Sequence, residues 1–212
     1  MKILQLCNKP PLPAVDGGCI AMNNIAKGLL SAGNDVKIIS IATYKHPFED
    51  KNYSKSFLDK TRFESIYVET KVNIIDAFSS LVTSDNYNVS RFFSTDFDRA
   101  LVDVLRKEAF DIIQLESLFM TPYIGTIRRY SKAKIVLRSH NLEYIIWKRL
   151  ANATSNRAKR VYLNYLAKQL KEYEFAVVKE VDGIAAISKG DAQRYAEFKS
   201  DLKLETIPFG ID

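Results

Sequence analysis

The sequence predicts an α/β fold: a doubly wound, mostly parallel sheet with helices on both faces. Three observations lead there. Short apolar runs recur along the chain, separated by stretches of helical period. The first unit reads strand, loop, helix, strand, and two buried strands joined by one helix pair in parallel through a right-handed crossover. The chain has 212 residues, 47% of them hydrophobic, which suits one globular domain or a tight pair.

Lys2–Cys7 is a mostly apolar run and reads as a buried strand. Residues 8–18 hold Pro10, Pro11 and Pro13, which suit neither helix nor strand. Gly17 and Gly18 close this loop and offer dihedrals that a side chain forbids. Met22, Ile25, Ala26, Leu29 and Leu30 then recur at helical spacing, and Gly33 follows as a helix terminator. Asp35–Ala42 is a second buried strand. Residues 43–56 are polar, broken by Pro47, and read as a loop. Residues 63–68 alternate weakly, like a strand near an edge.

Residues 74–83 look like a short helix, and 96–109 like a helix with Phe97, Leu101, Val104 and Leu105 on one face. Residues 111–116 form a third clear strand, ending in Glu116. Pro122 opens a helix over 122–131. Lys134–Ser139 is a strand that runs straight into His140-Asn141-Leu142-Glu143. The longest helix covers residues 156–181, with Tyr162, Leu166, Leu170, Tyr173 and Val177 as its apolar stripe. A strand after Asp182, a helix over 189–198 and a strand over 203–207 follow.

In open α/β sheets ligands bind beyond the carboxyl ends of the strands, where the 8–18 loop sits. Glycines at a helix start admit an anion to bare amides, and the helix dipole favours it. The loop lacks both the Gly-x-Gly-x-x-Gly fingerprint and a P-loop. A plain turn is the alternative, but strand-to-helix loops usually run about 2–6 residues.

No run of about 18 uncharged apolar residues occurs, so nothing is expected to span a membrane. The N-terminus has no signal-peptide shape, and Cys7 and Cys19 read as small buried hydrophobes in a reducing compartment. A cytoplasmic location is the expectation, with the inner face of the cytoplasmic membrane as a peripheral site. With only two histidines, a His-based metal site is not expected. Twelve basic residues fall between Arg128 and Lys171 against Glu143 alone, so the remainder of the chain is net acidic. Such a region attracts phosphate, anionic lipid or nucleic acid, or is a solvated face. No nucleic-acid reader motif is present, so nucleic acid is not an expected partner. Trp147, Tyr162 and Tyr165 lie among the cations, which makes an anionic membrane surface a candidate partner for peripheral docking.

Four stretches then stand in order: Pro13-x-x-Asp16-Gly17-Gly18; Arg138-Ser139-His140-Asn141-Leu142-Glu143; Glu172-x-Glu174 leading to Val181-Asp182-Gly183-Ile184-Ala185-Ala186-Ile187-Ser188; and Pro208-Phe209-Gly210-Ile211-Asp212. Together they resemble the N-terminal, acceptor-side half of a GT-B glycosyltransferase of glycosyltransferase family 4. Phe209 departs from the pattern, which usually has Asn there. The resemblance implies a Rossmann-like domain over 1–207, the start of an interdomain linker at 208–212, and an absent C-terminal donor domain. It implies that the full protein moves a hexosyl group from a nucleotide-sugar donor to a glycan or lipid-linked acceptor, retaining configuration. No metal or other cofactor is implied, and the chain alone is expected to be inactive.

By the same resemblance, Asp16, Gly17 and Gly18 form the donor-phosphate loop, where amides would meet charge developing on the diphosphate. His140 is the catalytic candidate, hydrogen-bonding the sugar or acceptor rather than acting as a general base; a histidine satisfied at a strand end is the plainer alternative. Glu116, Arg138, Asn141, Glu143 and Ser188 are assigned to the cleft and acceptor side. Glu143 would orient His140 or neutralise Arg138, and Glu116 reads equally as a surface carboxylate. Rival functions are a GT-B-type nucleotide-sugar epimerase and a non-enzymatic nucleotide- or anion-binding α/β module. A dinucleotide binder would need an acidic residue ending the second strand, where Ala42-Thr43 stands. Capsule, lipopolysaccharide and glycoprotein assembly all fit as pathways.

Overall fold

The structure, a computed structural model, describes residues 1–69, 93–198 and 203–209. Among these, the elements run β1 (Lys2–Cys7), α1 (Gly17–Ser31), β2 (Asp35–Ala42), α2 (Lys55–Thr61), β3 (Glu64–Tyr67), α3 (Thr95–Lys107), β4 (Ile112–Glu116), α4 (Ile124–Tyr130), β5 (Lys134–Ser139), α5 (Glu143–Ala153), α6 (Arg157–Val178), β6 (Gly183–Ala186), α7 (Lys189–Ala196) and β7 (Lys203–Thr206). The strands form one sheet in the order β3-β2-β1-β4-β5-β6-β7, and every adjacent pair is parallel. Winding reverses between β1 and β4, which is the topological switch point.

Strand residues alternate between two cores. Leu4 and Leu6 of β1 and Ile39 and Ile41 of β2 pack with Phe97 and Leu101 of α3 and Leu170 and Val177 of α6. Cys7, Val36 and Ile38 face the opposite side, against Cys19, Met22 and Ala26 of α1. Each fully buried Leu, Ile or Phe contributes roughly 1.5–3 kcal/mol relative to exposure. Both sheet faces are therefore covered, as the continuous apolar runs implied. The weakly alternating β3 lies at the sheet edge. Both cysteines are buried and free. Among the described residues no helix is long and apolar enough to cross a membrane.

Several local expectations need correction. Gly17 and Gly18 do not use positive φ; among the described glycines only Gly33 does, at φ 76, where it follows the end of α1. The stretch read as a loop holds a 3-10 turn at Asp50–Asn52, and α2 begins at its end with Ser54 as N-cap. Tertiary packing explains this, since Phe48, Tyr53, Phe57 and Phe63 form an aromatic cluster beside β2. Pro122 sits inside a 3-10 turn, Leu118–Tyr123, ahead of α4. On α6 the buried stripe runs through Leu163, Leu166, Ala167, Leu170 and Val177, and Tyr162 is exposed. Helix α5 was not legible, because only Ala151 among its residues is fully buried and no clean stripe results. The helix expected over 74–83 and the last three residues of the 208–212 motif lie outside the described residues.

Candidate functional site

The β1–α1 loop and the end of β4 flank the switch point, and a cleft of about 380 Å³ opens between them. Lys9, Asp16, Gly17 and Gly18 line it from the loop; His140, Asn141 and Glu143 line it from the end of β5; Phe209 closes one side. Asp16 is the N-cap of α1, its Oδ1 accepting the Cys19 N–H at 2.9 Å. Its other oxygen pairs with Lys9 Nζ. Burial pushes the Asp16 carboxyl up, but the Lys9 ammonium and the Cys19 amide outweigh it and hold it at about 2. Lys9 thus brings a cation to the loop, a feature the glycine-centred reading missed.

The glycines supply space rather than unusual dihedrals. A Cβ at Gly18 would stand 3.3 Å from Asp16 Oδ1 and 3.4 Å from both His140 Nδ1 and Lys9 Nζ. A Cβ at Gly17 would meet the Phe209 ring at 3.7 Å. The Phe209 and His140 rings lie edge to face, 6.0 Å apart. Phe209 therefore walls one side of the cleft with an aromatic ring.

Under the cleft lies a ladder of polar side chains that strand register assembles. Gln5 pairs with Gln114, Cys7 with Glu116, and Glu116 with Arg138 across β1, β4 and β5. In-register parallel neighbours share a face, so these side chains converge on the α1 side. Glu116 is 0% exposed and Arg138 1%. Glu116 Oε1 accepts the amide N–H groups of Gln5, at 2.8 Å, and of Gln114. Glu116 Oε2 lies 2.7 Å from His140 Nε2 and 3.8 Å from Arg138 Nε. Arg138 also donates to the Ile207 carbonyl at 3.4 Å. Burial lowers the Arg138 pKa and the Glu116 charge opposes that. Burial, then the same carboxylate, raises the Cys7 thiol well above its usual range.

Glu116 and Arg138, expected to face the cleft, are thus placed beneath its floor. Glu116 meets both His140 and Arg138, the two partners that the sequence also suggested for Glu143. An acidic acceptor on Nε2 puts the imidazole hydrogen there and leaves Nδ1 toward Gly18 and the cleft. His140 is only 7% exposed, so its ring is held rather than free to turn. Ser117, next after Glu116, takes φ 81 and ψ 164, a region that side chains rarely adopt, directly on the cleft wall.

Asn141 is exposed and lies between the cleft and a second cavity, which Ser188 also lines. Ser188 caps α7, accepting the Asp191 N–H at 3.1 Å and donating to Asp191 Oδ2 at 2.7 Å. The start of α5 is held by Glu174 of α6, whose two oxygens accept the N–H groups of Glu143 and Tyr144 at 3.0 and 3.2 Å. Burial pushes the Glu174 carboxyl up to about 8 against those two donors, and Glu143 and Asp191 add to the rise.

A family model described as Glycosyltransferase Family 4 matches residues 15–212. Comparison with curated proteins returned no significant match. Among solved structures, sucrose-phosphate synthase from Thermosynechococcus elongatus aligns with a TM-score of 0.63 at 12% identity, over 100% of this chain and 49% of that one. UGT2 of Phytolacca americana, complexed with UDP-2-fluoro-glucose and pterostilbene, aligns at 0.53 and 10% identity, over 98% and 53%. UGT71G1 of Medicago truncatula, complexed with UDP-glucose, aligns at 0.53 and 13% identity, over 97% and 51%. The chain therefore spans about half the length of these structures, and at such identities they share its fold alone. The family match over residues 15–212, with the all-parallel α/β sheet and the loop-and-histidine cleft, places the chain in glycosyltransferase family 4.

Proposed function

We propose that residues 1–207 are the acceptor-side domain of an enzyme that transfers a hexosyl group, with retention, from a nucleotide sugar to a glycan or lipid-linked acceptor. The observation that carries this reading is the approach of His140 Nδ1 to Gly18 across a cleft at the switch point. A donor phosphate at the α1 N-terminus would meet the amides of Gly17 and Gly18, a favourable dipole and the Lys9 ammonium, which it would share with the capping Asp16 carboxylate. Those groups stabilise charge as the sugar–phosphate bond breaks. His140, fixed through Nε2, presents Nδ1 to a sugar or acceptor hydroxyl. The UDP-sugars named for the two plant structures support a nucleotide-sugar donor for this chain as well. In this reading residues 208–212 lead toward a second domain that grips the nucleotide, and the chain by itself does not turn over. No metal takes part.

The acceptor's location is read from the exposed side of the α5–α6 hairpin. Val161, Tyr162 and Tyr165 are exposed beside Arg157, Lys159 and Arg160, a mixture that suits the headgroup layer of an anionic membrane. The test is product analysis of the full-length protein with a panel of labelled nucleotide sugars, an acceptor extract and a chelator. Glycosylated product with nucleoside diphosphate release, unaffected by chelation, is expected. An epimerised nucleotide sugar as the only product overturns the transferase reading, and turnover by residues 1–212 alone overturns the division of labour.

A further inference from the structure

A second cavity, of about 270 Å³, adjoins the cleft across Asn141, between α5 and the first turn of α7. We propose that it holds the phosphate group of an amphiphilic acceptor, a phosphate borne on an apolar chain. The inference rests on the transferase reading above and names the chemistry of its acceptor.

The polar wall carries two guanidinium groups, Arg149 and Arg194, against one carboxylate, Asp191. That carboxylate is already engaged, by the Ser188 hydroxyl at 2.7 Å and by Arg194 at 3.6 Å. Arg149 is exposed and makes no ion pair among the described residues. The net positive wall suits an anion, and a guanidinium fork matches the oxygens of a phosphate better than a point charge does. The exposed Asn141 adds an amide group to the lining, whereas the Ser188 hydroxyl is already engaged by Asp191.

The rest of the lining is apolar, with Leu142 and, on the same helix as Arg149, Ile145 and Ile146 of α5. Ile146 is 42% exposed, and Leu150, one turn further along α5, is 48% exposed. Residues four apart lie on one helix face, so these two side chains make an apolar track leading out of the cavity beside Arg149. A purely hydrophilic sugar phosphate leaves that track in water; a phosphate on an isoprenoid or acyl chain covers it. Asn141 lines both this cavity and the cleft that contains His140, so a phosphate here would hold the acceptor beside that cleft.

The proposal is tested by amide NMR on the isotope-labelled chain, titrated with geranyl phosphate, glucose 6-phosphate, geraniol and inorganic phosphate. Geranyl phosphate is expected to shift the amides of Asn141, Ile146, Ser188 and Arg194 saturably. Arg149→Gln and Arg194→Gln are each expected to weaken that binding about tenfold, and Arg149→Lys to recover part of it. Equal affinity for glucose 6-phosphate removes the apolar chain from the proposal. Shifts confined to Gly17, Gly18 and His140 overturn it altogether. The readout is binding, not turnover: transfer by the full-length protein with no shift at these amides sinks this site alone, and saturable shifts without any transfer sink the transferase reading.

Discussion

Two groups of charges in this molecule come from the same basic stretch of sequence and have opposite fates. Arg138, at the end of β5, is 1% exposed and lies against the buried Glu116. Arg157 and Lys159, at the start of α6, are exposed and meet no carboxylate among the described residues. Residue counting treats the three alike. Strand pairing separates them, because register sets Arg138 opposite Glu116 and turns both onto the face that α1 covers. The buried group fixes a geometry, while the exposed group is available to a partner. Each of the following measurements attacks that difference.

The largest effect is expected at Glu116. Glu116→Gln removes the counter-charge of a buried guanidinium and turns an NH₂ group toward the donors of Gln5, Gln114 or His140. Breaking a buried pair from one side typically costs about 3–5 kcal/mol. Denaturant unfolding should show a loss of that size, and transfer by the full-length protein should collapse as His140 loses its orientation. Arg157→Gln should change stability by less than about 0.5 kcal/mol. If the two substitutions prove equally mild, the distinction between buried and exposed charge is void.

That first measurement also marks what the sequence could reveal. The strands were legible because burial on both faces leaves continuous apolar runs, as at Asp35–Ala42. The loop and the His140 motif were legible as local patterns. The partner of His140 was not, since Glu116 lies 24 residues earlier and reaches it only through the pairing of β4 with β5. Glu143, three residues away, was the nearer guess. Lys9 was hidden for a related reason: the loop must fold back before its ammonium meets Asp16. Helix α5 escaped because its exposed Ile146 and Leu150 break the amphipathic pattern; the same side chains form the track beside Arg149.

A smaller effect on stability, but a large one on rate, is expected at Gly18. The added Cβ of Gly18→Val meets Asp16, His140 and Lys9 at 3.3–3.4 Å, and its methyl groups project further into the cleft. Displacing reacting groups by about 1 Å can cost on the order of 100-fold in rate. Transfer assays should show at least that loss, with unfolding changed far less than in Glu116→Gln. An unchanged rate would return the loop to a plain turn.

Glu174 tests whether a buried carboxylate away from the sheet behaves like Glu116. Burial raises its pKa from the ordinary 4.5 to about 8. A raised folded-state pKa means that the native state holds a proton the unfolded chain has released, so its contribution fades as pH rises from about 4.5 to about 8. Melting temperature should fall across that window, and Glu174→Gln, uncharged throughout, should flatten the slope. A slope that persists in the variant assigns the effect to another group.

The smallest effect on the fold, and the sharpest contrast with Glu116, is expected at the start of α6. Arg160 is best spared, because its guanidinium donates twice to the Thr154 carbonyl and ties α6 to the end of α5. Arg157 and Lys159 lie in the first turn, capped by Asn156. Replacing both by Glu puts negative charge at the positive end of the helix dipole, worth roughly 0.3–1 kcal/mol per residue, so stability should hold or rise slightly. Binding to anionic vesicles should move the other way. Each cation near an anionic surface contributes about 1 kcal/mol, so the double reversal should weaken co-sedimentation by more than tenfold at low salt. Physiological salt should shrink the difference, since exposed charges are screened over about 8 Å. A variant that melts as the wild type does but releases the vesicles assigns these cations to a membrane. Equal recovery of wild type and variant, or equal recovery on neutral vesicles, leaves them as a solvated face.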